Sequence, residues 1–482
     1  MVRRPSRKTF RPRLDEMVTS IRNNILTGSL EPEQYLPSEK QLAEQYGLSV
    51  QSVRKGLDLL VSERMIVKIP KIGSKVLDPA EKGAVTIRFG YSPTIPDDAD
   101  IHRLIAMFHR EHPNIHVQAV PLGGQLYDQF KPYLANGMLD VVTMNYNSYL
   151  QFAEHGSLDD FEILERQDAL YPFLSDAFAK DGQLRVQPFT FSPLVLCYNR
   201  AHFIQQGLQE PNSSWNWQRL IECASALDIP GERVGFHCYF STPNRASIML
   251  LQKGGSFERR EDGRLKLAGT RMMDAIRYSR ELYEHIPSLP NSLMNWEAEK
   301  VQMLRQGKLS IAILSFFTLN HLRDAELDYD IAPVPHLGDA LTVLIVIGLA
   351  VNRHSKNKEA AKKLVDFMIS SEAQLAIRSS EAQLAIRQNT CSLPARVTAA
   401  EWSGPDSGVI NRPSRFSLFR EIIPSYRLFS DLNLLESEMH GLFSELRLYW
   451  AGLQDEETLC RRVEELSGSS ADTTLSPSPA MP

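Results

Sequence analysis

Gln51, Ser52, Arg54 and Lys55 lie within five residues, and all four could meet nucleic acid. Arginine and lysine neutralise phosphate, whereas glutamine, serine and arginine can hydrogen-bond base edges. Such chemistry needs a rigid element that holds these groups outward. Val53, Leu57 and Leu60 recur at helical spacing, so the four polar groups fall on the outer surface of one helix. Ser49 is its N-cap candidate. A second helix precedes it: Ser38 and Gln41 form a capping-box pattern, Leu42, Ala43 and Tyr46 share one face, and Gly47 supplies a left-handed stop. Met65–Ile69 and Lys75–Leu77 read as strands flanking a turn at residues 70–74, a hairpin that could lay Lys71 and Lys75 along phosphate. Two helices joined by a tight turn can seat the second in a major groove. The same pattern also fits a helical hairpin with no nucleic acid partner.

Charge supports the nucleic-acid reading. Residues 1–78 carry 14 Lys/Arg against 9 Asp/Glu, a net of +5, although the whole chain is −5. A basic head on an acidic body fits a confined footprint for phosphate. Arg3, Arg4, Arg7, Lys8, Arg11 and Arg13 make residues 1–13 a basic arm, or a solvated tail.

In order along the chain, residues 14–77 resemble the winged-helix domain of GntR-type bacterial regulators. Leu14–Leu30 matches the first helix and its exit, Leu36–Ala43 the LPSE…LA signature, and Leu48–Leu60 the recognition helix, with Gly73 at the wing glycine. The resemblance implies DNA contact by Lys40, Ser52, Arg54 and Gly73. Ser49, Gln51, Lys55 and Lys71 complete the candidate interface. Three positions depart from the family: Val50 stands where arginine is usual, and Arg64 and Glu33 each stand where glycine is usual.

The totals suit a soluble protein of several domains: 482 residues, 43% hydrophobic and 23% charged. Residues 1–13 contain no apolar run of the kind a signal peptide needs. The longest apolar run, Leu341–Val351, is about half of a bilayer span and reads as a buried strand. Five scattered cysteines without metal spacing suit a reducing cytoplasm.

Residues 79–84 read as a linker, and strands then alternate with helices from Val85 onward: strand 85–91, helix 100–112, strand 115–120, helix 127–136, strand 140–145. That alternation implies an α/β domain with a mainly parallel sheet, and its length implies two lobes around a cleft. From about residue 85 to 450 the sequence resembles family 1 extracellular solute-binding proteins of sugar ABC transporters. Phe108–Val117, Leu134–Val142, Met303–Leu314, Asp328–Pro335 and Gly348–Glu359 all carry the resemblance, and Tyr198–Leu220 is its most specific part. The expected fold is therefore multidomain: an N-terminal winged helix-turn-helix (α+β) at 14–78, then a two-lobed α/β periplasmic-binding-protein fold of type II at 85–466. The Ser/Thr/Pro/Ala-rich tail 467–482 is expected to be disordered.

In such a fold, ligand lies between lobes against loops beyond the strand ends. A sugar needs aromatic faces and amide partners there. Tyr91, Asn145, Tyr146, Tyr239, Phe240, Trp296 and Phe316 occupy those places; ordinary core packing is the alternative for each aromatic. Trp215 and Trp217 are expected to pack a helix start, and Asp140 to serve a turn. His102, His109, His112 and His116 lack a carboxylate or cysteine to complete a metal set, so neither metal nor cofactor is expected. No nucleophile elbow, phosphate loop or HExxH motif marks an enzyme.

One motif has no counterpart in either family. The nonapeptide SSEAQLAIR at 370–378 recurs unchanged at 379–387. Nine residues turn a helix through roughly 900°, so one straight helix cannot bury Leu375 and Ile377 as well as Leu384 and Ile386. A tandem duplication is expected, with one copy extending or bulging from the helix that begins near Lys358. Together these features predict a ligand-responsive regulator: a dimer in the cytoplasm, with operator DNA and a sugar or oligosaccharide as partners and no membrane. The competing expectation is a carbohydrate-transport receptor with a vestigial N-terminal module.

Overall fold

The computed structural model describes residues 10–26, 30–62, 65–69, 72–77, 85–123, 127–238, 242–285, 297–378, 390–402 and 410–466. The expected linker 79–84 and tail 467–482 lie outside them.

At the N-terminal end, α1 (Phe10–Leu26), α2 (Glu39–Tyr46) and α3 (Val50–Ser62) precede a hairpin of β1 (Ile66–Ile69) and β2 (Gly73–Val76). Local chemistry sets the helix ends. The Ser38 hydroxyl accepts from the Gln41 amide while the Gln41 side chain accepts from the Ser38 amide, and Gly47 ends α2 at φ +61°. Met17, Val18 and Ile21 of α1, Leu42 of α2, Val53, Leu57 and Leu60 of α3, and Ile66 and Val76 of the hairpin are all buried. Helix α1 begins at Phe10, and the Arg13 guanidinium donates to the Gly47 carbonyl at 3.4 Å. Arg13, expected on a loose arm, thus sits at the negative end of α2. Glu33 has φ +71°, which explains why its family favours glycine there.

The body is built on one sheet. Its longer strands are β3 (Val85–Tyr91), β4 (Ile115–Pro121), β5 (Val141–Asn145), β6 (Gln187–Asn199), β7 (Val234–His237), β8 (Leu309–Ser315), β9 (Tyr329–Ala332) and β10 (Thr342–Val351). The order is β4-β3-β5-β10-β6-β8-β7, with β9 also on β6. β3 runs parallel to β4 and β5, and β7 parallel to β8, whereas β10, β6 and β8 pair antiparallel with one another in turn.

Two strands are common to both lobes. The first half of β6, Gln187–Pro193, pairs with β10, and its second half, Leu194–Tyr198, pairs with β8. β10 in turn carries β5 along Ile347–Val351. The buried-strand expectation for Leu341–Val351 thus holds, and every residue of β6 is buried. α5 (Ile101–Glu111) covers the first lobe with α4 (Ile95–Ala99), and α7 (Tyr146–Glu154) follows β5 after α6 (Tyr127–Ala135). α8 (Trp217–Leu227) and α9 (Pro243–Met249) flank β7.

The register between β6 and β10 shifts at Ile347/Gly348. A Cβ at Gly348 would lie 2.4 Å from Val186 Cγ1 and 2.8 Å from the Gln187 carbonyl oxygen. Gly348→Ala is therefore expected to destabilise the body by about 1–3 kcal/mol, the cost of overpacking. A lowered urea midpoint with an unchanged slope would register that loss.

α10 (Lys358–Met368) ends before the repeat, and α11 (Ser371–Arg378) is a separate helix formed by the first copy. The repeat does not extend the helix that starts at Lys358. The second copy lies outside the described residues.

Candidate functional site

Two regions hold the residues expected to do chemistry. On α3 the buried face is Ser52, Val53, Gly56, Leu57 and Leu60, which leaves Val50, Gln51, Arg54, Lys55 and Asp58 exposed. Ser52 corrects the sequence expectation: it is 6% exposed. Its amide donates to the Ser49 hydroxyl at 3.1 Å, and the two hydroxyls lie 2.7 Å apart. Both serines build the helix cap, so Ser52 faces inward although helical spacing alone put it outside. Arg54 pairs with Glu39 at 2.7 Å, and Lys68 with Asp58 at 2.5 Å. Lys75 pairs with Glu33. These acids soften the basic face, and exposed pairs of this kind are weak enough to open for a phosphate. Lys40 is exposed on α2, and Gly73 opens β2 at φ +147°. Lys71 and Arg64 lie outside the described residues.

The second surface lies where the strands of both lobes end. Tyr91 ends β3 and Asn145 ends β5 in the first lobe, while His237 ends β7 and Ser315 ends β8 in the second. Asn145 accepts from the Ser148 amide at 2.8 Å and so caps α7. Tyr146 is buried against Tyr149 and Phe178 and donates to Ser430 Oγ at 2.9 Å; burial pushes its phenol up to about 12. Tyr91 is also buried and meets the His102 ring edge-on. Phe316 corrects the expectation outright. It has no exposed surface and packs edge-on against Phe416 and Phe419. Ser315 caps a turn over Phe316–Leu319, accepting from the Thr318 amide, and that turn rotates Phe316 into the core. Tyr239, Phe240 and Trp296 lie outside the described residues.

Sequence reasoning missed Asp98. This α4 carboxyl is 5% exposed, and burial pushes its pKa from 3.8 to about 7, against hydrogen bonds from Thr94 and Asn320 that lower it. Asn320 follows β8 in the chain. The Asn320 side chain also donates to Ser392 Oγ at 2.9 Å and accepts from the Cys391 amide at 2.6 Å. Nearby, the Phe317 amide donates to Ser192 Oγ on β6 at 3.3 Å. Nothing in the local sequence announces Asp98, because its partner stands far along the chain.

Other expectations hold as packing. Trp217 is fully buried, and its indole donates to Gln252 at 3.0 Å. The Asp140 carboxylate accepts from the Arg88 amide and the Ser355 hydroxyl. His109 Nε2 accepts from the Val117 amide at 2.9 Å and stacks on His116, a structural role. All five cysteines are buried. Among the described residues no helix is long and apolar enough to cross a membrane.

Comparison with known proteins matches both parts. The family of bacterial extracellular solute-binding proteins matches residues 92–375, more than half of the chain, and the GntR family of bacterial regulatory proteins matches residues 14–76. The ABC transporter periplasmic-binding protein YcjN of Escherichia coli (strain K12) is 24% identical over 310 residues, 60% of this chain and 69% of its own. The HTH-type transcriptional repressor NagR of Bacillus subtilis (strain 168) is 33% identical over 70 residues, 14% of this chain; only 29% of the repressor is spanned. Among solved structures, a Listeria monocytogenes ABC substrate-binding protein in complex with cycloalternan aligns with TM-score 0.63 at 20% identity, over 79% of this chain and 97% of its own. Maltose-bound MalE3 of T. maritima aligns with TM-score 0.66 at 17% identity, over 80% and 99%. With the two-lobed sheet and the capped helix pair, these matches place the chain in the bacterial extracellular solute-binding protein family, joined to a GntR-type winged helix.

Proposed function

We propose that the protein is a ligand-responsive transcription regulator that binds operator DNA through α3 and its wing and senses a sugar or oligosaccharide between its lobes. One observation carries this reading: a GntR-type winged helix and a sugar-receptor fold occupy the same chain. Lys40, Gln51, Arg54 and Lys55 are exposed around α3 and would supply phosphate and base contacts, with Lys71 and Gly73 on the wing. The effector class is drawn from solved relatives named for cycloalternan and maltose. Tyr91, Asn145 and Tyr146 at the strand ends would line the first lobe's side of that ligand. Tyr239, Phe240 and Trp296 would serve the second lobe.

Coupling requires a ligand that prefers one lobe arrangement over another, and DNA heads whose spacing differs between them. A homodimer on a two-fold operator in the cytoplasm provides that spacing. The test has two arms. Binding to DNA upstream of the protein's own coding region should weaken steeply as salt rises, and a panel of mono- and oligosaccharides should contain one that raises the melting midpoint. Absence of salt-sensitive DNA binding would overturn the regulator. A sugar response without DNA binding would point to a transport receptor instead.

A further inference from the structure

A cavity of about 480 Å³ opens between α10, the segment 163–167 and the start of β6. β6 fixes its place in the fold. That strand passes from β10 to β8 at Pro193/Leu194, and Gln187, which lines the cavity, stands six residues earlier. At about 3.3 Å per residue, Gln187 lies roughly 20 Å along the strand from the crossing between lobes. The walls are pinned by hydrogen bonds. The Leu164 amide donates to the Leu184 carbonyl at 2.8 Å. Arg396 is held twice: its amide donates to Gln374 Oε1 and its Nε to the Ile369 carbonyl, both at 3.0 Å.

Three features of the lining call for a guest. Gln187 is 2% exposed, and its side-chain Nε2 has no hydrogen-bond partner. A buried donor left so costs about 1–3 kcal/mol. A half-turn of the last torsion exchanges the amide's donor and acceptor, so the donor can be offered to whatever fills the cavity. Glu165 and Asp366 line the same space. Loss of surrounding water, and then the Glu165 charge, hold the Asp366 carboxyl above its ordinary value, against the pull of Lys362. Arg396 supplies the opposite charge, with a fork of terminal N–H donors beyond its Nε bond. Two carboxylates are too few for a metal ion, and among the described residues no group of three such ligands exists. Val365 and Ile369, both nearly buried, add an apolar wall.

We propose that this cavity is a second small-molecule site, on the first lobe, for an α-amino acid with an apolar side chain. The ammonium of such a guest lies against Glu165 and Asp366. Its carboxylate takes donors from Arg396 and the Gln187 amide, and its side chain covers Val365 and Ile369. The size suits a small ligand, since pockets of this kind run from about 300 to 1,000 Å³. Charge-assisted hydrogen bonds of both signs select a zwitterion, because a guest with one charge leaves the other half of the lining unmatched. A neutral sugar offers no charge to either half, so the site is separate in chemistry as well as place from the proposed cleft between the lobes.

The test titrates the full chain calorimetrically with L-leucine, L-valine and L-methionine at up to millimolar concentration. Isopentylamine and 4-methylpentanoate, which keep only the amine or only the acid of leucine, serve as single-charge probes. At least one amino acid is expected to bind, and the single-charge probes to bind at least ~10-fold more weakly than leucine. Glu165→Gln with Asp366→Asn alters two exposed side chains. That double variant should weaken leucine at least ~10-fold while moving the melting midpoint of the free protein by less than about 2 °C. Gln187→Met keeps the length of the side chain without its unpaired donor, so it should weaken leucine and leave the free protein at least as stable. No heat from any of the three amino acids overturns the proposal. So does isopentylamine binding as tightly as leucine, or leucine binding unmoved by the loss of both carboxylates. A Gln187→Met chain markedly less stable than the native one would show the amide to be paired and remove the premise.

Discussion

Asp98→Asn is expected to raise the melting midpoint at pH 8 by about 5 °C or more and to leave it nearly unchanged at pH 4. The sign follows from burial. The Asp98 carboxyl holds its proton up to about pH 7 in the folded chain, against an ordinary value of 3.8. Between those values the folded state binds a proton that the unfolded chain has released, so stability falls as pH rises from about 4 to about 7 and then stays low. A shift of this size corresponds to about 4 kcal/mol of differential stability. Asparagine keeps a neutral partner for Thr94 and Asn320 and does not ionise, so the variant's stability should lose this slope. Melting curves across pH 4–8 for both proteins measure it, and parallel pH profiles would refute the assignment.

The second large effect is expected on DNA. Val50→Arg should tighten operator binding by about 10–100-fold, the worth of one good base or phosphate contact of about 1–3 kcal/mol. Val50 is 38% exposed on the first turn of α3, beside Gln51 and Arg54, so an arginine there would project from the proposed groove-facing side without displacing core. A contact to phosphate would also steepen the salt dependence by about one unit of slope, whereas a base contact would alter sequence preference with less change in slope. Titration of the native protein and the variant at several salt concentrations separates the two. An unchanged affinity would mean that α3 docks with its first turn away from the duplex.

What the sequence disclosed depends on how far apart the interacting residues stand. The α2 cap at Ser38 and Gln41 and the stop at Gly47 are chemistry within one turn, and they fold as expected. The buried stripe Val53, Leu57 and Leu60 is a matter of helical period alone. Ser52 escaped that logic because a cap three residues upstream draws its hydroxyl inward. Phe316 looked like a ligand face because it follows a strand, yet Phe416 and Phe419, a hundred residues later, enclose it. Asp98 offered no local sign at all, since its unusual carboxyl depends on burial beside Asn320. Leu341–Val351 was legible as a buried strand from its apolar run. Its position between β5 and β6 was not, because the partners that fix it lie far upstream.

That position has a consequence for synthesis on the ribosome. β5 and β10 meet through Asn145 and Ile347, about two hundred residues apart, so the first lobe lacks a neighbour along β5 until β10 has emerged. The elements of the winged helix all lie before residue 77. A growing chain would therefore carry a finished DNA-binding head for most of its translation while its sensor is still incomplete, and the head would be the first part able to find its target.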